Sequence, residues 1–195
     1  MMTDWSARWK EGMTFEQYLS LVKTLVAEGK STGPNQSEDL LEYSKMNLRR
    51  MQRILKTFEV SEYQMHGIKA LGATNVLAIT EGWCGDAAQI IPVASKVMDH
   101  LAINFKLVLR DEHLDLIDHH LTNGGRSIPI LFFLNDQFEL LAEWGPRPYP
   151  VQQKVIGFKN KPEPKPPYTE FVKEVQLWYH HDKQKTMLDE WNNFK

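Results

Sequence analysis

The first part of the chain places apolar residues with the period of an α-helix. One apolar stripe lies in residues 15–26, and a second lies in residues 41–58. Each stripe follows a residue whose side chain can cap a helix, first Thr14, with Gln17 three positions later, and then Ser37. We therefore predict two helices and assign residues 1–60 to an N-terminal helical extension.

The period changes in the middle of the chain. Val76–Ile79 is a short apolar run of the kind found in a strand covered on both faces. A helical pattern over 85–100 and a strand pattern over 103–110 follow, and a strand, helix and strand of this length predict two parallel strands. Short helices are predicted over 61–71 and 114–121. Two further runs, 128–134 and 138–144, flank Asn135-Asp136-Gln137 and predict a hairpin. Residues 61–150 are thus predicted to form an α/β core around a mixed sheet.

The C-terminal part is divided by its prolines. Residues 145–167 contain most of the prolines of the chain and predict an extended connector. The last 28 residues predict one long helix with apolar residues on one face. We assign 151–195 to this connector and to a C-terminal helix packed on the core.

Charge and composition narrow the classes of partner and compartment. The chain has 23 Lys and Arg against 25 Asp and Glu, a net charge of −2, which gives no reason to expect nucleic acid or an anionic membrane as a partner. Its start lacks the apolar run of a signal peptide, and no stretch is apolar enough to span a membrane. One cysteine excludes an internal disulfide. These features predict a cytoplasmic protein.

The single cysteine stands where a buried strand gives way to a helix. Glu81-Gly82-Trp83-Cys84-Gly85-Asp86 follows the strand predicted at 76–80. Unpaired N–H groups and the helix dipole at such a position favour a thiolate, the nucleophilic form of cysteine. The carboxylate of Asp86 opposes that effect.

These residues resemble the thioredoxin family, in particular a bacterial group with Trp-Cys-Gly-Asp in place of the Cys-x-x-Cys active site. Pro92 lies eight residues after Cys84, Ile128-Pro129 matches the family's cis-proline, and Gly145 matches its groove glycine. The resemblance implies a thioredoxin-like fold with Cys84 as the catalytic nucleophile. It also implies a substrate groove, to which we assign Trp83, Gly85, Asp86, Ile128, Pro129, Gly145 and Arg147.

Two departures from the family change the expected chemistry. Ala87 stands in place of the second cysteine, and Ala78 in place of the buried carboxylate that helps to deprotonate it. A mixed disulfide on Cys84 therefore needs an external thiol for its release. We predict monothiol thiol–disulfide exchange with a protein or a low-molecular-weight thiol or disulfide as the partner, and no cofactor.

A second interpretation belongs to another class: a redox-inactive module that uses the same groove to hold a peptide or protein. An acidic, exposed thiol favours exchange, and a buried or ordinary thiol favours the module. Other motifs predict no further site. Adjacent histidines lack metal-ligand spacing, no phosphate-binding loop is present, and the basic face of the second helix predicts a solvated surface (Lys45, Arg49, Arg50, Arg53, Lys56).

Overall fold

The computed structural model describes residues 3–60 and 65–194. In these residues the helices are α1 (Trp5–Glu11), α2 (Phe15–Ala27), α3 (Glu38–Thr57), α4 (His66–Leu71), α5 (Ala87–His100), α6 (Leu114–Ile117), α7 (Tyr149–Lys159), α8 (Tyr168–Asp182) and α9 (Lys185–Asn192). The strands are β1 (Asn75–Thr80), β2 (Asn104–Leu109), β3 (Ile130–Leu134) and β4 (Leu140–Trp144). A 3-10 turn, Arg110–Glu112, follows β2.

The strands form one mixed sheet in the order β2-β1-β3-β4. β1 pairs in parallel with β2, with Ala78 opposite Leu107, as the predicted strand–helix–strand unit requires. β3 pairs antiparallel with both β1 and β4, and β3 and β4 are the predicted hairpin. The predicted α/β fold with a mixed central sheet is confirmed.

Helices cover both faces of the sheet. On one face, side chains of α2, α3, α5 and α9 share a single apolar core with β1, to which Tyr18, Met51 and Trp191 contribute. On the other face, Trp5 of α1 and Leu116 and Ile117 of α6 pack on the alternate side chains of the strands. Helices α1, α2, α3 and α9, outside the predicted core, therefore pack on the sheet, whereas α7 and α8 share a separate apolar cluster.

The predicted caps form at the first two predicted helices. Thr14 Oγ1 accepts a hydrogen bond from Gln17 N, and Gln17 Oε1 accepts one from Thr14 N, which is a capping box. Ser37 caps α3 with a single hydrogen bond, in which its Oγ accepts from Leu40 N. The helix predicted over 61–71 begins among residues outside the described ranges, and its described part, α4, ends at Gly72 with a left-handed φ of 72°.

The predicted extended connector is wrong over much of its length, because α7 occupies residues 149–159. Pro148 occupies the N-cap position of this helix, and Pro150 lies in its first turn, where the N–H that a proline lacks has no helical partner. The predicted single C-terminal helix is also wrong: Lys183 and Gln184, both left-handed, separate α8 from α9. Helix α1 was not predicted from the sequence. Among the described residues no helix is both long and apolar enough to cross a membrane.

Candidate functional site

The loop between β1 and α5 fixes Cys84 at the start of the helix. Cys84 N donates to Glu81 O at 3.2 Å, and Ala88 N donates back to Cys84 O at 3.1 Å. The thiol donates to Ile128 O at 3.3 Å and accepts from Ala87 N at 3.5 Å. The sulfur therefore lies between the helix start and the segment that precedes β3.

Two of the predicted groove residues form the support behind Ile128. The Ile128–Pro129 peptide bond is cis, and Pro129 is buried. Gly145 has a φ of 138°, and a Cβ there would lie 2.3 Å from Pro129 O. Any side chain at position 145 would collide with the backbone that carries Pro129, so glycine is required for β4 to pass this close to the loop.

The surroundings of Cys84 keep the thiol protonated. Burial, and secondarily the charge of Asp86, raises the pKa of Cys84 to about 12, although the residue retains some exposed surface. The Ala87 N–H and the Arg147 guanidinium act in the opposite direction and are outweighed. From the sequence, the helix start was expected to lower the pKa of Cys84 and Asp86 to raise it. Burial adds to the effect of Asp86, and together they outweigh the helix start.

Asp86 does not cap α5, although it occupies the N-cap position. Its Oδ2 accepts from Arg147 Nε at 2.8 Å, and its Oδ1 accepts from the Tyr179 hydroxyl at 2.8 Å. The side chains of Asp86 and Arg147 are only 14% and 11% exposed, so this is a largely buried ion pair. Arg147 is therefore committed to Asp86, and Arg126, which lies near Ile128, pairs with Asp118.

Helix α3 supplies two polar residues that the sequence analysis did not place in the site. Asn47 is fully buried, and its Nδ2 donates to Gly82 O at 3.0 Å. Its Oδ1 accepts from Arg50 Nη1 at 2.7 Å, which holds Arg50 toward the loop. The signal was an asparagine on the apolar side of α3, where the buried positions are Ser44, Asn47, Met51 and Ile54.

Helix α8 lies against the loop from the other side. Gln176 Nε2 donates to Gly85 O at 3.3 Å, and Gln176 Oε1 accepts from Gln89 Nε2 at 2.8 Å. A Cβ at position 85 would lie 3.0 Å from Gln176 Nε2, so Gly85 permits this close approach. One wall of the site thus consists of the chain's own C-terminal helices.

Between these elements is a cavity of about 690 Å³. Of the predicted site residues, six line it: Trp83, Cys84, Gly85, Asp86, Ile128 and Arg147. Pro129 and Gly145 do not line it and support it from behind. The guanidinium of Arg110 lies 4.7 Å from the centre of the Trp83 ring, which fixes that ring in the wall.

Glu81, three residues before Cys84, is a buried carboxyl that the sequence analysis did not assign. Its Oε1 accepts from Asp111 N at 2.9 Å, which ties the turn after β2 to the loop. Its Oε2 has no hydrogen-bond partner among the residues that the structure describes. Burial raises the pKa of Glu81 from 4.5 to about 7.

This shift predicts that part of the stability falls as pH rises. The folded chain holds the Glu81 proton more tightly than the unfolded chain, so the stabilisation is complete below about pH 4.5 and is lost as pH approaches 7. The whole change corresponds to about 3 kcal/mol at most. Urea unfolding of Glu81→Gln against the parent at pH 5 and pH 8 measures it, with the exposed Glu112→Gln as control. We expect the free energy of unfolding of Glu81→Gln, relative to that of the parent, to be higher at pH 8 than at pH 5. An equal difference between variant and parent at both pH values contradicts the raised pKa of Glu81.

Metal binding has no support in the described parts of the chain. They contain no group of three or more His, Cys, Asp or Glu side chains placed to hold an ion. The site itself presents one thiol, one buried ion pair and several cationic side chains along its lining.

Comparison with known proteins agrees with this architecture. A family model described as thioredoxin matches residues 33–162. A crystal structure of a protein of unknown function from Pseudomonas aeruginosa is similar over 99% of this chain and 97% of that one, with a TM-score of 0.62 and 13% identity. An HIV epitope scaffold is similar over 93% and 97%, with a TM-score of 0.53 and 13% identity. At these identities the two structures show the fold alone. No curated protein matches. Because the family model spans more than half of the sequence, the chain belongs to the thioredoxin family.

Proposed function

We propose that this protein is a binding module of thioredoxin fold, which holds a small molecule in the cavity beside Cys84 and does not use the thiol as a nucleophile. The observation that carries the proposal is the packing of α8 on the loop that contains Cys84. Gln176 bonds to Gly85 O, and the Tyr179 hydroxyl bonds to Asp86. An extended peptide on this loop would have to displace α8, whereas the cavity of about 690 Å³ beside α8 has room for a small molecule.

The state of the thiol supports the same function. The nucleophile in disulfide exchange is the thiolate. With a pKa of about 12, Cys84 is protonated at neutral pH, and its proton is engaged by Ile128 O. The replacement of the resolving cysteine by Ala87, and of its base by Ala78, removes the remaining parts of dithiol chemistry.

Monothiol exchange through Cys84 is the second candidate, and one observation favours it. Cys84 lines the cavity and accepts a hydrogen bond from Ala87 N, an interaction that also stabilises a thiolate. A small disulfide in the cavity could be attacked by the Cys84 thiolate, which forms a mixed disulfide and releases one thiolate. An external thiolate would then attack that bond and release Cys84.

Alkylation of Cys84 separates the two functions. We expect iodoacetamide to modify the native chain at least about tenfold more slowly than the urea-unfolded chain throughout pH 6–10, because the folded thiol carries so little thiolate. Mass spectrometry follows the single adduct, and Cys84→Ser is the blank. Oxidised glutathione should give no adduct with the native chain. A reaction midpoint below about pH 8, together with a stable glutathione adduct that added thiol releases, would establish monothiol exchange instead.

A further inference from the structure

Apolar side chains make up a large part of the lining of the cavity beside Cys84. Helices α7 and α8 contribute most of them, and α3 adds Leu40 (Val155, Phe158, Phe171, Val172, Val175). Lys159 of α7 and Tyr168 and Gln176 of α8 line the cavity together with them. Phe158 and Phe171 stack with their ring centres 4.3 Å apart, which gives this wall a fixed shape. A volume of about 690 Å³ is within the usual range for pockets that bind small organic molecules.

The charged side chains around the same cavity are unevenly matched. Asp86 is the carboxylate among the lining residues, against six cations: Arg50, Arg110, Arg126, Arg147, Lys159 and Lys165. Three of the arginines form ion pairs with aspartates: Arg110 with Asp111, Arg126 with Asp118, and Arg147 with Asp86. Lys165 lies 3.8 Å from Glu163.

Arg50 differs from those arginines. It is half-buried, and in the described parts of the chain its guanidinium has a hydrogen bond to the neutral Asn47 and no carboxylate. Its Nη1 would lie 3.9 Å from a Cβ at position 85, so the charge faces the loop that carries Cys84. Burial, and secondarily the charge of Arg53, lowers the pKa of Arg50. A guanidinium of this kind has free N–H groups for a bidentate anion.

The geometry points to a small amphipathic anion as the ligand of this cavity, with a carboxylate or phosphate group on Arg50 and an apolar body against the wall formed by α7 and α8. This inference rests on the proposed binding function and adds the class of ligand. The sequence alone predicted a solvated face for Arg50, and the packing of α3 against the loop brings this one residue of that face into the cavity.

A matched pair of fluorescent probes tests the inference. The anion 8-anilinonaphthalene-1-sulfonate and the neutral N-phenyl-1-naphthylamine share an apolar body and differ in the sulfonate. We expect Arg50→Gln to weaken binding of the sulfonate about tenfold, the effect of losing one charge-assisted hydrogen bond, and to leave the neutral probe unchanged. Arg49→Gln, an exposed neighbour on the same helix, should change neither. Val172→Trp, which fills the cavity, should weaken both.

Competition identifies the head group. Decanoate and octyl phosphate should each displace the sulfonate probe, the better competitor showing which head fits, and octanol should do so poorly. Equal effects of Arg50→Gln and Arg49→Gln, or no saturable binding of the sulfonate to the parent, overturn the inference. If Val172→Trp loses cooperative unfolding, the comparison of Arg50 with Arg49 still decides. Should probe binding fail while Cys84 stays inert to alkylation, the ligand class is wrong and the binding function stands. A reactive Cys84 removes the binding function itself.

Discussion

Removal of residues 168–195 is expected to abolish cooperative unfolding of the remaining chain. Trp191, Leu188 and Met187 of α9 are at most 2% exposed and belong to the same core as β1 and α5. Loss of one such aromatic side chain costs about 3–5 kcal/mol, and a domain of this kind has about 5–15 kcal/mol in total. A buried Leu or Met adds about 2–5 kcal/mol, so deletion of Trp191, Leu188 and Met187 together, and of α8 with them, removes about as much as the whole margin.

Helix α9 makes contacts that would be lost to solvent if it were removed. The rings of Trp144 and Trp191 meet edge to face at 5.4 Å, and Trp144 Nε1 donates to Glu190 Oε2 at 2.8 Å. A Cβ at Gly67 would lie 2.4 Å from Trp191 O, so α4 and α9 are in backbone contact. These contacts join the C-terminus to β4 and to α4.

Circular dichroism during thermal and urea unfolding measures the effect. Trp191→Ala tests the same contact without a deletion and should cost about 3–5 kcal/mol. Leu177→Ala, on the exposed side of α8, is the matched control and should change stability little. If the truncated chain melts as sharply as the full one and at the same temperature, the C-terminal helices are an independent module.

The fold could be predicted where local chemistry decides it. The caps at Thr14 and Ser37 and the apolar runs of β1 and β3 carry their own signals within a few residues. Helix α7 could not be recognised, because prolines at 148 and 150 mark a loop as readily as a helix start. The break between α8 and α9 occurs at Lys183 and Gln184, where no glycine or proline announces it.

The sequence predicted the site residues that belong to the thioredoxin-like motif, and not those that reach the site from other helices. Cys84, Ile128 and Pro129 were found because they belong to a motif of fixed order. Asn47, Gln176 and Tyr179 reach the same loop from α3 and α8, 35 or more residues away along the chain. Nothing in a single sequence relates such distant positions, so the enclosure of the cavity, and the burial that sets the thiol pKa, depended on the three-dimensional structure.

Replacement of Asp86 by alanine is expected to cost about 3–5 kcal/mol, because it leaves the guanidinium of Arg147 without its partner in a site where that side chain is 11% exposed. The Tyr179 hydroxyl, fully enclosed in the structure, loses its acceptor at the same time. Among the residues that the structure describes, the acceptor left to Arg147 is Gln152 Oε1, a neutral atom at 2.8 Å. The penalty is that of an uncompensated buried charge, not of one lost hydrogen bond.

The chain contains a matched control for this prediction. Asp118 and Arg126 form the same type of pair, with Nε at 2.6 Å from the carboxylate, but their side chains are 44% and 45% exposed. Asp118→Ala should therefore change the unfolding midpoint little, since water solvates the arginine left behind. If Asp86→Ala costs no more than Asp118→Ala, burial is not what makes the Asp86 pair important.

A double-mutant cycle measures the coupling of Asp86 with Arg147, and the reactivity of Cys84 measures the effect of Asp86 on the thiol. Asp86→Ala with Arg147→Ala should be less destabilising than the two single costs added together, because the second change removes the charge that the first one left unpaired. Asp86→Asn keeps an oxygen for Tyr179 and removes the negative charge that contributes to the raised pKa of the thiol. We expect the alkylation midpoint of Cys84 to move to lower pH in Asp86→Asn. Burial should still hold that midpoint above the midpoint of the unfolded chain. If the alkylation midpoint is unchanged in Asp86→Asn, burial alone sets the pKa of the thiol. If the midpoint falls to that of the unfolded chain, Asp86 keeps water away from the sulfur through its contacts with Arg147 and Tyr179.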